Sequence, residues 1–279
     1  MKLVFKISLT VALFLVVYSC DKKEAAPEIA EEQRQKIEMI TDRGTMVIEL
    51  YNETPLHRDN FLKLANESTY DSVLFHRVID SFMIQSGDPD SKNAKPGDTL
   101  GNGGLDYTVD AEFNPNLFHK KGVLAAARDG NPERASSSTQ FYIVQGKVFN
   151  DSLLDRAEVR INDWLAEHYF KKDPVNKSLL DSLQMAMDNY NMEQYRLYSD
   201  SISSLSKAYK NFETYSISEG QRTVYKTLGG TPHLDQNYTI FGEVVEGLEV
   251  VDSIAAVPTG PFDRPIADVR VISVRVLEE

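Results

Sequence analysis

An arginine stands among apolar residues in the segment 75–89, which reads FHRVIDSFMIQSGDP. The segment predicts two short strands, the first bearing Arg77 and the second bearing Gln85, joined by a turn. A guanidinium beside Phe82, Met83 and Gln85 would offer a permanent charge and several hydrogen-bond donors to a group in an apolar pocket. The alternative is an ordinary surface arginine, because charged side chains mostly stay in water. The other segments of the chain are needed to distinguish a pocket arginine from a surface arginine.

Two further segments could form a groove beside this strand pair. Residues 122–130, GVLAAARDG, form a predicted strand whose side chains shrink to alanine, so that a backbone or a ligand can approach it closely. Residues 136–144, SSSTQFYIV, are a polar turn that leads into an aromatic strand. Small residues opposite aromatic ones suggest a groove, although both segments could equally fill the core of a sheet.

The elements around these segments are predicted from periodicity. Alternating apolar residues predict a hairpin over residues 37–50 and a final strand over residues 269–277. Thr54 and Pro55 are typical of a helix start, with threonine as the cap, and this helix is expected to end near Glu67. Strand character is also predicted for residues 231–244, followed by a short helix. The glycine-rich stretch 96–107 is a predicted loop, because no phosphate-binding Gly-Lys-Ser/Thr follows it.

Residues 149–229 differ from the rest of the chain. Glycine nearly vanishes, and apolar residues recur at helical spacing, which predicts an inserted α-helical subdomain. Asp173 and Pro174 are expected to separate its first two helices, and Ser218 with Gln221 can open its last one. The aromatic residues of this insert, Trp164 among them, would either pack in its core or contact a protein partner.

The amino terminus resembles an export signal of a bacterial lipoprotein. Residues 1–19 carry two lysines, no acidic residue and an apolar run that is short for a bilayer span. Cys20 follows directly and is the only cysteine of the 279 residues, so a lipid anchor explains it better than a disulfide. Residues 20–35 are predicted to be the lipidated cysteine and a flexible tether. We therefore expect a lipid-anchored protein of the bacterial cell envelope.

The charge of the chain excludes some partners. Without residues 1–19 it has 28 basic and 42 acidic residues, a formal charge of −14. Nucleic acid is a poor partner for such a chain, because its phosphates must be neutralised by lysine and arginine. The five histidines are scattered and have no partner at metal-ligand spacing, so neither a metal nor a cofactor is expected.

Taken in order, these segments resemble the cyclophilin family of peptidyl-prolyl cis/trans isomerases. The resemblance implies a mainly β fold, a closed eight-stranded antiparallel barrel capped by two helices, from which the helical subdomain emerges. It also implies proline-containing polypeptides as substrates and an isomerase domain made of residues 36–148 and 230–279. The matching segments are 75–89, 122–130, 136–144 and HLDQNYTIFGEVVEGLEVVDSI at 233–254.

The resemblance also assigns roles to residues. Arg77 is at the position of the catalytic arginine, and Gln85 and Gln140 would position the peptide. The backbone around Ala127 and Arg128 would receive the residues before proline. The proline ring would contact a pocket made by Phe82, Met83, Phe141 and Leu234, with Tyr142 at a position that is often phenylalanine. His233, Tyr238 and Arg128 are also substrate-binding positions, where many members have tryptophan, histidine and asparagine.

The chemistry explains why such residues are needed. Rotation about an X-Pro bond must break amide resonance against a barrier of about 18 to 20 kcal/mol. The prolyl nitrogen becomes pyramidal and basic as the amide twists, and a guanidinium can then donate a hydrogen bond to its lone pair. That interaction is stronger in the twisted state than in the planar one, as catalysis requires. The alternative is a cyclophilin scaffold that serves as a chaperone or binding module through residues 149–229.

Overall fold

The structure, a computed structural model, describes residues 33–278. The predicted signal sequence of residues 1–19, the predicted lipid site Cys20 and most of the predicted tether lie outside the described residues. Among residues 33–278, no helix combines the length and the apolar character that crossing a bilayer requires.

Eight antiparallel strands form the main sheet, in the order β10-β1-β2-β9-β6-β8-β4-β3. Strands β5 and β7 form a separate two-stranded antiparallel sheet. The strands are β1 (Lys36–Thr41), β2 (Gly44–Leu50), β3 (Arg77–Ile79), β4 (Met83–Ser86), β5 (Thr108–Val109), β6 (Val123–Ala126), β7 (Ser136–Ser137), β8 (Phe141–Val144), β9 (Ile240–Glu246) and β10 (Val271–Val276). The predicted hairpin, the strand pair that bears Arg77 and Gln85, and the final strand are confirmed.

The expected closed barrel is wrong, because the sheet is an open half-barrel with β3 and β10 as its edges. The residues just before β3 still approach β10. Leu74 and Arg270 form an isolated bridge, and the Phe75 N–H donates to the Val269 carbonyl over 2.9 Å. A turn with Ser72 at φ 70° precedes this contact, so the backbone does not continue as a regular ladder.

Two helices cover the inner face of the sheet, as expected. They are α1 (Pro55–Asn66) and α6 (Leu248–Ala255), whose apolar residues join the main core. Thr54 does not cap α1 with its side chain, contrary to the prediction, and its hydroxyl is buried without a hydrogen-bond partner. The Glu112 carboxylate caps the helix instead, because it accepts hydrogen bonds from the N–H groups of Leu56 and His57, each over 3.0 Å.

Four helices make up the predicted helical segment. They are α2 (Asp151–Lys172), α3 (Lys177–Asp188), α4 (Met192–Ala208) and α5 (Glu219–Thr227). The predicted break at Asp173-Pro174 is confirmed, and Ser218 and Gln221 form the expected reciprocal cap of α5. A second apolar cluster joins α2 and α5 to the stretch between α4 and α5, through Leu154, Ile161, Ile217 and Tyr225 among others.

The two ends of the helical segment meet at Gly230. This glycine forms isolated bridges with Lys147, just before the segment, and with Lys120, just before β6. A side chain at position 230 would collide with the His119 carbonyl, so a residue without Cβ is required there. Because the helical segment leaves the sheet and returns to it at one point, it does not interrupt the strand pairing of the sheet. Beyond it, residues 231–239 are not extended as predicted: a 3-10 turn, Pro232–Leu234, precedes β9.

Candidate active site

A cavity of about 820 Å³ opens on the outer face of the sheet, beside β3 and β4. Arg77, Met83 and Gln85 line it from these two strands, and Tyr142 lines it from β8. Strand alternation explains why these side chains share one face: Val78, next to Arg77, and Ile84, between Met83 and Gln85, face the main core. The register places Arg77 directly opposite Gln85 and Gln85 directly opposite Tyr142.

Arg77 lies at the border between the apolar wall and a polar loop. Its side chain is 42% exposed, and its Nε lies 3.4 Å from a carboxylate oxygen of Asp263, which is 46% exposed. An ion pair that is this open to water holds its partners weakly. The guanidinium therefore has donors that can turn toward a ligand in the cavity.

The apolar wall is built from three elements. Met83, Tyr142 and Leu234 are buried and pack in one cluster, with the partly buried Phe82 at its edge. His233 does not line the cavity directly but stacks on Phe82, with ring centroids 5.7 Å apart. Burial lowers the pKa of His233 to about 4, with smaller contributions from nearby positive groups, so the ring is neutral at ordinary pH.

Phe141 does not belong to this wall, and that part of the prediction is corrected. As the neighbour of Tyr142 on β8, it points to the opposite face of the sheet. There it packs in the main core, edge-on against Phe61 and Tyr70. Strand alternation allows only one of the two aromatic residues to face the cavity.

Two glutamines form the polar side of the site. The Gln85 amide donates to Gln140 over 3.1 Å, and Gln140 in turn donates to the carbonyls of Gly101 and Gly103 at 3.0 and 2.7 Å. These bonds tie the glycine-rich loop to β4. Gln140 lines a second cavity of about 400 Å³, which shares Gln85 and Ala127 with the first. The two cavities therefore adjoin each other and together make up the groove.

Arg128 lines both cavities, and Tyr238 lines the first. The Arg128 guanidinium lies over the Tyr238 ring, 4.7 Å from its centroid, and donates to the backbone carbonyl and side chain of Asn237. The backbone groups of Ala127 are already bonded, its N–H to the Gln140 carbonyl and its carbonyl to the Ser137 N–H. A peptide that binds here would find its backbone partners next to Ala127, at Arg128.

A buried polar chain behind Tyr142 was not predicted from the sequence. The Tyr142 hydroxyl lies 2.9 Å from His119 Nε2, and His119 Nδ1 lies 2.8 Å from Asp235. Tyr215 and Tyr225, from the helical segment, donate to the other oxygen of Asp235. Asp235 follows Leu234 directly, but no local pattern links it to tyrosines of the helical segment.

The loop 258–266 was also missed. Its residues 260–266 line the cavity, and they include Asp263 and the 80% exposed Phe262. Arg264 anchors it by donating to the carbonyls of Lys95 and Asp98. The only sequence signal was one glycine and three prolines among nine residues, which predict a loop but not its position. Within residues 33–278, no group of three or more His, Cys, Asp and Glu side chains is arranged to hold a metal ion.

Comparison with known proteins agrees with this architecture. The sequence model of the family described as "Cyclophilin type peptidyl-prolyl cis-trans isomerase/CLD" matches residues 36–169 and 188–276. A protein of Staphylococcus aureus (strain USA300) named "Putative peptidyl-prolyl cis-trans isomerase" is 28% identical over 90% of this chain and 98% of its own. A protein of Staphylococcus saprophyticus with the same name is 27% identical over 87% of this chain and 92% of its own.

Solved structures share the fold. A cyclophilin-type isomerase of Cryptosporidium parvum superposes with a TM-score of 0.53 at 18% identity, covering 88% of this chain and 99% of its own. A second structure of that protein, determined in the presence of the dipeptide Ala-Pro, gives a TM-score of 0.52 over 88% of this chain and all of its own. Since the family model matches well over half of its residues, the chain belongs to the cyclophilin-type peptidyl-prolyl cis-trans isomerases.

Proposed function

We propose that Arg77 catalyses rotation about X-Pro bonds by donating a hydrogen bond to the prolyl nitrogen as the amide twists. The proline ring lies against Met83, Tyr142 and Leu234, with Phe82 at the open edge. Gln85, Gln140 and the backbone next to Ala127, at Arg128, hold the peptide on either side of the ring. One observation carries this proposal: the guanidinium and the apolar wall line the same cavity, which is large enough for several residues of a peptide.

The environment of Arg77 supports this role. An apolar wall on one side keeps water from the twisting amide and restricts the ring, so that the donor meets the nitrogen in a productive geometry. The contact with Asp263 orients the guanidinium, but both partners are about half exposed. Arg77 therefore exchanges this contact for the prolyl nitrogen without leaving a buried charge unpaired.

The test is the Arg77→Ala variant in a protease-coupled assay with a short proline peptide. We expect its kcat/KM to fall by about tenfold or more, because a donor that acts only in the twisted state is lost. Arg43→Ala, at an exposed turn far from the cavity, is the matched control and is expected to keep full activity. Unchanged activity of the Arg77 variant would contradict the catalytic assignment.

We further propose that the chain acts on exported proteins at the bacterial cell envelope, anchored by lipid on Cys20. Support comes from the sequence alone: a basic start, a short apolar run and a single cysteine after Ser19. The expected result of expression in a bacterium fed with a labelled fatty acid is label on the full chain and none on Cys20→Ser. Label on both proteins, or on neither, would refute the anchor.

A second candidate function is the binding of unfolded client segments by the helical segment. It is favoured by apolar side chains left in solvent around the turn between α3 and α4: Met185, Met187 and Met192 are 63%, 58% and 58% exposed, and Tyr190 is 89% exposed. Methionine adapts to varied apolar partners, which suits clients of different sequence.

The second candidate is tested by changing all three methionines to serine. Turnover of a short peptide should be unchanged, while suppression of the aggregation of an unfolded, proline-containing protein should weaken. A variant that still suppresses aggregation fully would remove this candidate. Deleting the whole helical segment is a poorer test, because Tyr215 and Tyr225 donate to the buried Asp235.

A further inference from the structure

The Tyr142 ring is held from behind by its hydroxyl. Tyr142 is 4% exposed, and its hydroxyl lies 2.9 Å from His119 Nε2. His119 Nδ1 faces the Asp235 carboxylate at 2.8 Å, so Nδ1 carries the proton and Nε2 accepts from the tyrosine. Burial raises the pKa of Tyr142 well above its ordinary value, which keeps the hydroxyl protonated as a donor.

Asp235 joins this chain to the helical segment. It is fully buried, and one of its oxygens accepts from both the backbone N–H and Nδ1 of His119, each over 2.8 Å. The other oxygen accepts from the hydroxyls of Tyr225 at 2.7 Å and Tyr215 at 3.3 Å. A buried carboxylate depends strongly on such donors, because burial removes the water that would otherwise bond to it.

The helical segment fixes the positions of the two donors. Tyr225 is fully buried on α5, and its carbonyl accepts from the Phe149 N–H. The backbone of Tyr215 is held on both sides by the Asn162 side chain of α2, with both hydrogen bonds at 2.9 Å. The positions of the two hydroxyls therefore depend on how the helical segment packs, and not on how the sheet packs.

We propose that the helical segment positions the wall of the proline pocket through this buried chain, so that Tyr215, Tyr225, Asp235 and His119 are positioning residues of the isomerase. The proposal rests on the proposed role of Tyr142 in holding the proline ring. A shift of the donors moves the Asp235 carboxylate, then the His119 ring, and then the Tyr142 ring against which the proline lies. The helical segment thereby belongs to the catalytic unit.

The test compares the Tyr215→Phe/Tyr225→Phe double variant in two backgrounds of the full chain, with Tyr142 and with Tyr142→Phe. In the first background we expect kcat/KM for a short proline peptide to fall by about threefold to tenfold, the range that coupling between neighbouring groups produces. In the Tyr142→Phe background the same double change should have almost no effect, because the hydroxyl that relays the shift is absent.

Equal losses in the two backgrounds would overturn the proposal, since they would mean a general structural effect. Tyr209→Phe is the matched control, because that hydroxyl also donates to a carboxylate, Asp173, at 2.9 Å but has no connection to Tyr142. The nitrogen NMR signal of His119 Nε2 gives a readout apart from turnover, and the double variant should move it toward its position in Tyr142→Phe. An inactive wild-type chain would refute the proposed function, whereas the NMR shift would still test the coupling.

Discussion

The helical segment has an inner part, made of α2, α5 and residues 212–217, and an outer part, made of α3 and α4. Six residues of α2 are buried, whereas α3 buries only Ala186, and α4 buries only Ile202 and Ser206. The inner part contributes tyrosines to a buried carboxylate beside the groove, while the outer part presents methionines to solvent. One helical segment thus combines a portion that extends the core of the enzyme with a portion whose apolar side chains lie in solvent.

The family comparison follows the same division in part. The stretch that the family model passes over, residues 170–187, comprises the end of α2, the turn after it and nearly all of α3. The two parts still touch, since Phe170 at the end of α2 packs edge-on against Tyr209 after α4. The division therefore predicts unequal effects of matched substitutions, and not independent folding of the two parts.

The strongest test of this division is Asp235→Ala against Asp173→Ala. Removing Asp235 leaves the buried donors of His119, Tyr215 and Tyr225 without their acceptor, and we expect a loss of about 3 to 5 kcal/mol in the free energy of unfolding. Asp173, in the turn that leads to the outer part, accepts from the Val175 N–H and from Tyr209 near the surface, so its loss should cost about 1 kcal/mol. Urea unfolding measures both, and equal losses would contradict the division.

Truncating an apolar side chain is expected to give the next largest difference in stability between the inner and the outer part. Leu154 in the inner part is fully buried, so Leu154→Ala should destabilise the protein by about 2 to 5 kcal/mol. Leu197 in the outer part is 61% exposed, and Leu197→Ala should change stability by no more than about 0.5 kcal/mol. The same unfolding experiment compares the two, and a large loss for Leu197 would indicate a buried partner for the outer part in solution.

Acid is expected to lower the stability of the protein through His233, which lies where the inner part meets the groove. Burial lowers the pKa of His233 to about 4, and positive neighbours, Arg160 of α2 first, contribute in the same direction. Between about pH 6.5 and pH 4 the unfolded chain binds a proton that the folded chain does not. The free energy of unfolding therefore decreases by about 1 to 3 kcal/mol as the pH is lowered through this range. Unfolding as a function of pH measures this, and His233→Phe should flatten the profile. Burial also lowers the pKa values of His76 and His168 to about 4, so these two histidines account for a residual slope.

Local patterns predicted the parts of the site that lie close together in the sequence. Arg77 and Gln85 stand opposite each other because a three-residue turn joins their strands, and that spacing is visible in the sequence. The helix cap formed by Ser218 and Gln221 is local in the same way. Such features depend on dihedral preferences and strand alternation within a few residues.

Contacts between distant residues were not predictable in this way. Glu112 caps α1 through Leu56, 56 residues earlier, and Asp263 meets Arg77 across 186 residues. The choice between Phe141 and Tyr142 as the pocket wall depends on which face of β8 points outward, and this is set by its pairing with β4 and β6. Tyr215 and Tyr225 could be recognised as aromatic residues of a helical region, but their shared carboxylate lies in another element.

The meeting of Ser72–Phe75 with the start of β10 has a consequence for how the chain folds. The Arg270 side chain donates to the Ser72 carbonyl, a contact between residues 198 positions apart. Contacts of such separation carry a large loop-closure entropy and form late. The residues before β3 can therefore make this contact only after residue 270 has been synthesised. Until then the residues before β3 lack these partners, and this edge of the sheet is more open to pairing with other chains. We therefore expect this isomerase to be most vulnerable to aggregation during the last steps of its own folding.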